Sequence, residues 1–383
     1  MNQDARLKIL LVGDASNCHH SLAVGLRRLG HDVTVASDGN SYMQTVRDVD
    51  LNRRWFTKVG GMLHWLRLQW LFRRRFCGYD VVSIIKPDFL WLRPQRIQRL
   101  FDLLKRNNRS VFLTASNTDG PFIEECLDPN SALRYNEYRI GDKLLPFAQS
   151  AEAKAFITGE KRRLWEHVYA GLDGAVAVLY EYYVALGRML PKEKYAYAGI
   201  PIVMEDYPFV EKKWQWPLTV FMGRKKVKAD CKGYEFMAEA ARRVAEQYPD
   251  KVVYQEVSDV PLNEYTRMQA QAHIMLDQAY SYTPATNALA AMAMGLTAVS
   301  GAEPDYYDFI GERDNHPIAN ALPSVEVNEA LLIRLISDPM ALQEAAEANR
   351  RFVEEHHDCE KVAAKFLEFW RSRLQTKSAA KPG

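Results

Sequence analysis

Two cationic side chains, Arg224 and Lys232, bracket the chain's most chemically suggestive loop. It runs from Gly223 to Gly233 and also carries Lys225, Lys226 and Lys228. Arg224 directly follows the apolar run LTVFMG (218–223), and Lys232 directly precedes a glycine and an amphipathic stretch, Tyr234 to Gln247. A solvated charge run is the ordinary reading of surface lysines, and it suits Lys225 and Lys228. Fixed cations at the two ends of a strand-to-helix loop instead suit a phosphate-bearing ligand, because charge-assisted contacts outweigh neutral ones. A second candidate lies in His273–Glu303, HIMLDQAYSYTPATNALAAMAMGLTAVSGAE, which reads as strand, polar loop, helix, strand. Thr283 is the expected N-cap, Pro284 the first helical residue and Gly295 the C-terminal stop. Backbone N–H groups from Thr283 through Thr286 and Asn287 would then face an anion. An ordinary buried helix in a parallel sheet explains the same stretch equally well.

Two loops in the first half are the other candidates. Asp14, Ser16, Asn17 and His19 follow the run KILLVG (8–13), where they could touch a substrate at a helix start; an N-cap at Ser16 or Asn17 with solvated histidines is the alternative. Asp119 precedes Gly120 in a similar loop, where it would position a hydroxyl or accept its proton, unless it is a plain turn former. GDASNCHH lacks GxGxxG, so it does not predict a dinucleotide site.

These residues need scaffolding, and the chain supplies it as alternating strands and helices. KILLVG reads as a parallel strand covered on both faces, and DVTVAS (32–37), VVSIIK (81–86), SVFLTAS (110–116), GAVAVL (174–179) and YAYAGI (195–200) are further strand runs, predominantly apolar. Helical patterns separate them, among them His19–Leu29, Gln95–Lys105 and Glu152–Tyr169. The alternation predicts an open, doubly wound parallel sheet, whose binding loops leave the carboxyl ends of the strands. The same grammar restarts at LTVFMG and VVYQEV (252–257), with a helix start near Pro261 and later ones at Asp338 and Asp358.

At 383 residues two domains are the default. A first α/β domain is expected at 1–205, a proline-broken linker at 206–217 and a second α/β domain at 218–355. A helix over 356–376 is expected to pack back on the first domain, with a flexible tail at 377–383. A formal net charge of +2 gives no reason to expect nucleic acid as a partner. Five scattered cysteines without a CxxC pair argue for reduced thiols in a cytoplasmic setting and against structural zinc. No apolar run is long enough to span a bilayer, and the N-terminal one is too short for a signal peptide. Residues 51–76 stand apart, with seven Arg or Lys among Trp55, Phe56, Trp65, Trp70 and Phe72 and no acid. That composition suits an interfacial helix on an anionic membrane, or a site for an anionic saccharide, or a helix whose aromatics are core.

Gly223-Arg224 … Lys232-Gly233, together with AAMAMG (290–295) before an apolar strand and two similar α/β halves, resembles the GT-B glycosyltransferases. The likeness is strongest to the bacterial retaining group 1, family 4-like enzymes. It implies two Rossmann-like domains facing across a cleft, a nucleotide diphosphate sugar as donor substrate, and no further cofactor and no metal. Arg224 and Lys232 would hold the donor diphosphate. The family's two glutamates fall on Tyr282 and Ala290, so both carboxylates are missing, and Tyr282, Asn287 or Glu303 would take over part of their work. The acceptor would enter from the first domain, on the side of Asp14, Ser16, Asn17 and His19, and would be a saccharide or lipid-linked saccharide in polysaccharide or glycolipid assembly, at the inner face of a membrane. A sugar-nucleotide epimerase and a non-catalytic scaffold on the same fold are the alternatives.

Overall fold

The computed structural model describes residues 5–39, 44–224 and 232–379, the side chains of Ser378 and Ala379 excepted. Contacts divide the chain into two compact units. The first takes residues 1–125, 151–201 and 359–383, and the second takes 126–150 and 202–358.

The first unit is a seven-stranded, wholly parallel sheet. Its strands are β1 (Lys8–Val12), β2 (Asp32–Ser37), β3 (Val49–Asp50), β4 (Val81–Ile84), β5 (Ser110–Ala115), β8 (Gly174–Ala177) and β9 (Tyr195–Tyr197); β6 (Arg139–Ile140) and β7 (Lys143–Leu144) form a separate antiparallel pair in the second unit. The order β3-β2-β1-β4-β5-β8-β9 is doubly wound and reverses direction between β1 and β4. Central strands β4 and β5 are buried at every position, which is why they read as continuous apolar runs. Helix Pro94–Asn107 shows the amphipathic counterpart, burying Ile97, Leu100, Phe101 and Leu104 on one face. The final helix, Cys359–Ala379, returns to this unit and packs along helix Cys18–Arg28. Gly25 makes that approach possible, since a Cβ there would lie 2.1 Å from the Cys359 carbonyl oxygen.

The second unit carries five parallel strands: β10 (Leu218–Arg224), β11 (Val252–Ser258), β12 (Ile274–Leu276), β13 (Thr297–Ser300) and β14 (Ala319–Asn320). Their order, β11-β10-β12-β13-β14, reverses between β10 and β12. Leu218, Val220, Met222, Ile274, Leu276 and Val299 join helix Tyr234–Gln247 in one core. Phe221, Met275, Ala291, Met294 and Leu296 form another.

Three local expectations are corrected. The pattern Glu152–Tyr169 is two helices, Ala151–Ile157 and Gly159–Gly171, broken at Gly159, where φ is 64°. The proline-rich stretch 206–217 packs within the second unit, with Lys212 donating to the carbonyls of Ala270 and Ala272 (3.2 and 2.7 Å) and Trp216 to that of Ile336 (2.9 Å). Residues 126–150 sit early in the sequence, yet they also belong to the second unit.

Candidate functional site

In open parallel sheets ligands bind outside the carboxyl ends of the strands, where the strand order reverses. In the second unit that point lies between β10 and β12, and a buried carboxylate marks it. Asp277, the first residue after β12, is fully buried. Its Oδ1 accepts from Lys232 Nζ at 2.9 Å and, at a longer 3.5 Å, from Asn287 Nδ2. Its Oδ2 faces Ser300 Oγ at 3.5 Å. Asn287 is oriented by Tyr265, whose OH donates to its Oδ1 (3.0 Å), and by Gln269 Nε2 (3.1 Å). That leaves the Asn287 amide group to donate toward Asp277.

Lys232 feels two opposing forces. Loss of water around it favours the neutral amine, and the Asp277 carboxylate favours the cation; the carboxylate wins, and the ammonium is held well above its ordinary range. Its side chain keeps 32% of its exposure. Among the described residues Asp277 takes one of its three donor positions, which leaves two for an anion. Gly233 at φ 65° turns the chain at once into helix Tyr234–Gln247.

The small-residue helix begins at Thr286, with Ala285 at the cap position, rather than at Pro284 behind a Thr283 cap. Thr283 is buried, and its carbonyl accepts from Ser281 Oγ (2.7 Å) and Gln278 Nε2 (3.3 Å), which keeps the preceding loop outside the helix. Alanine has no side chain to cap the helix, so Thr286 and Asn287 open it with their N–H groups uncapped by Ala285. At the other end Gly295 does turn left-handed (φ 84°), with Leu296 N donating to the Ala291 carbonyl at 3.0 Å.

The remaining expected donor residues are placed differently. Arg224 ends β10, but its guanidinium pairs with Glu256 of β11 at 3.1 Å, on the opposite side of β10 from Asp277. Lys225, Lys226 and Lys228 lie outside the described residues. Tyr282 and Glu303 are both buried against residues 133–136. The Tyr282 OH accepts from the Arg134 amide, and its ring stacks on Tyr135 with centroids 5.0 Å apart. Glu303 is held by the Arg134 guanidinium, by the Tyr135 OH (2.9 Å) and by Asn320 Nδ2 (2.8 Å). Ala290 is buried within its helix.

In the first unit Asp14 and His19, of the four residues expected on the acceptor side, are buried in the core. Asp14 Oδ1 accepts from the amides of Ala15 (2.8 Å) and His19 (2.9 Å), so Asp14 rather than Ser16 or Asn17 satisfies the helix start. Ser16 and Asn17 make the tight turn, at φ 49° and 65°. His19 is fully buried instead of solvated. Its Nδ1 lies 2.7 Å from the Gly13 carbonyl and must carry the proton, which makes Nε2 the acceptor for Thr114 Oγ1 at 3.0 Å. Burial lowers this imidazole to about 4, so it stays neutral. Asp119 is also buried: Oδ1 caps the amide of Phe122 (3.1 Å) and Oδ2 accepts from the Tyr169 OH (2.6 Å). Desolvation pushes its carboxyl up to about 6.

The sequence reading had passed over Asp277. Its signal was the carboxylate closing the apolar run HIMLD, at a strand end that only the strand order puts next to Lys232. Among the described residues one trio could hold a metal ion: Glu312, Glu355 and His356, with ligand atoms all within 4.8 Å of one another. His356 Nε2 and Glu312 Oε2 already pair at 2.7 Å, and the trio shares no hydrogen bond with the Asp277 network among the described residues. No helix among the described residues is long and apolar enough to cross a membrane.

No family model matches the chain, and no curated protein matches it significantly in sequence. Solved structures do match in shape. Sucrose-phosphate synthase from Thermosynechococcus elongatus is 12% identical, with a TM-score of 0.61 over 98% of this chain and 100% of that one. Anabaena HepE, solved with UDP and glucose, is 11% identical, with a TM-score of 0.59 over 96% of this chain and 100% of that one. A UDP-N-acetylglucosamine 2-epimerase is 12% identical, with a TM-score of 0.54 over 96% of both chains. What the chain shares with them is the GT-B fold.

Proposed function

We propose that this chain is a glycosyltransferase that takes a sugar from a nucleoside diphosphate sugar and delivers it to a saccharide or glycolipid acceptor. The observation that carries the reading is the Lys232 ammonium, fixed by buried Asp277 at the β10/β12 reversal in a unit where helix Thr286–Ala293 starts without a side-chain cap. A cation and uncapped N–H groups at one sheet edge suit a diphosphate, above all when charge builds on it as the sugar departs. Neighbours solved with UDP and UDP-glucose support a nucleotide donor. In this reading Arg224 leaves Glu256 to join the diphosphate, the anomer is retained, and Lys232 and the helix start do the electrostatic work without a metal ion. The protein would act in surface polysaccharide assembly, in the cytoplasm and peripherally on the inner face of a membrane.

Calorimetry with UDP and UDP-glucose tests the donor site. Lys232→Ala removes a charge-assisted contact of about 1.5–3 kcal/mol, so affinity should fall about 10- to 100-fold. Because the single change strands the Asp277 carboxylate, Lys232→Ala/Asp277→Asn is compared beside it, and both must unfold cooperatively. Equal affinity in wild type and both variants would overturn the reading. An epimerase is the second reading, since two 2-epimerases share the fold. Conversion of the sugar with donor alone would establish it, whereas a transferase needs an acceptor.

A further inference from the structure

Helix Lys58–Trp70 buries only Gly60 and Leu68. Val59, Met62, Leu63, Leu66 and Trp70 are instead 45–61% exposed, and Phe56 just ahead of them is 85% exposed. Their spacing places them on one stripe along the helix, with Leu68 on the opposite side. Surface helices of water-soluble domains are built the other way round, and a contiguous apolar patch of this kind marks an interaction face.

The next row, Trp65 and Gln69 of the same helix and Arg73 of the π-helical turn Leu71–Arg75 that continues it, lines a cavity of about 390 Å³ together with Arg99, Asp102 and Arg106 from helix Pro94–Asn107. Arg73, Arg99 and Arg106 are exposed and make no ion pair among the described residues. Asp102, the cavity's one acid, is taken up by His167 Nε2 at 2.7 Å. Arg96 lies over the Trp65 ring, 4.9 Å from its centroid, adding a fourth cation at the wall.

We propose that this face of the first unit docks on an anionic bilayer. The stripe enters the acyl boundary, and a lipid phosphate is seated among Arg73, Arg99 and Arg106. Charge decides the occupant. Residues 51–76 hold seven Arg or Lys and no acid, so a second copy of the same face would set like charges against each other. A negatively charged lipid surface satisfies both the arginines and the apolar row. The inference deepens the peripheral-membrane part of the proposed function and does not depend on the donor site.

The test uses the full chain and flotation with vesicles of phosphatidylcholine alone or mixed with phosphatidylglycerol. Binding is expected only to the mixed vesicles, with a blue shift of tryptophan emission that Trp70→Phe reduces. Arg99→Gln/Arg106→Gln should weaken partitioning about fivefold per arginine, and Leu66→Asp should abolish it. All these positions are surface ones, so the variants should keep the wild-type Tm. Equal binding to both vesicle types, no binding to either, or a concentration-dependent dimer that Leu66→Asp dissolves would each overturn the proposal. UDP binding, measured in parallel, separates the two failures: vesicle loss with UDP retained sinks the docking face alone, and the reverse sinks the donor site alone.

Discussion

Burial acts on His19 and Lys232 with opposite outcomes, and the difference lies in what each side chain meets. His19 meets neutral partners, the Gly13 carbonyl and Thr114 Oγ1, so desolvation prevails and its pKa falls to about 4. Lys232 meets a buried carboxylate, so its charge is kept. The histidine has a consequence for stability. Its folded pKa lies below the ordinary 6.5, so as pH falls from about 6.5 to about 4 the unfolded chain takes up a proton that the native chain refuses. The contribution is complete above that window and lost within it, by about 3 kcal/mol. Asp119, raised to about 6, works in the other direction, so a variant comparison is needed to isolate the histidine. The stability advantage of wild type over His19→Asn, read from urea denaturation, should shrink by about 3 kcal/mol between about pH 7 and about pH 4. A constant difference would show that the imidazole titrates alike in the native and unfolded chains. Little of this was legible in the sequence. GDASNCHH shows a polar loop before a helix, and nothing local says which polar residue turns inward to Thr114, ninety-five positions away.

At the scale of elements, local pattern did much more. The strand DVTVAS occupies 32–37, helix Tyr234–Gln247 has the expected ends, and Asp338 caps its helix by accepting from the amides of Met340 and Ala341. Those features depend on periodicity and on dihedral preferences, which neighbouring residues carry with them. One error came where side-chain contacts within a loop outweighed the helix-start signal, as Ser281 and Gln278 bind the Thr283 carbonyl and delay the helix to Thr286. Close approach between elements is equally silent in sequence. Gly25→Ala should favour an isolated helix by about 1 kcal/mol. In this protein its methyl would meet the Cys359 carbonyl at 2.1 Å, and backbone cannot step aside. The expected net result is a loss of about 1–3 kcal/mol, seen as a lower denaturation midpoint at unchanged slope. A gain in stability would mean that helix Cys359–Ala379 does not lie against Gly25.

At the scale of the whole molecule, residues 126–150 leave the first unit and attach to the second through Arg134 and Tyr135. They cover Tyr282 and Glu303, two positions the sequence reading assigned to the donor sugar. Arg134→Ala should loosen this attachment, and because the guanidinium is half exposed the cost should stay near 1 kcal/mol. Hydrogen exchange is the sensitive readout: faster amide exchange is expected across 133–144 and around 302–305, with the β1–β5 core unchanged. Uniform exchange in both proteins would mean that the segment is held by other contacts.

By itself the sequence determined two parallel α/β units, because apolar runs with polar exits admit few other burials, and it determined the Asp338 cap and the Gly295 stop. Only the tertiary structure decided which distant residues share a charge: Lys232 with Asp277, Arg224 with Glu256, Arg134 with Glu303. The reason is physical. Burial and backbone preference are properties of short segments, whereas a partner is set by strand order and by where a connecting segment comes to rest.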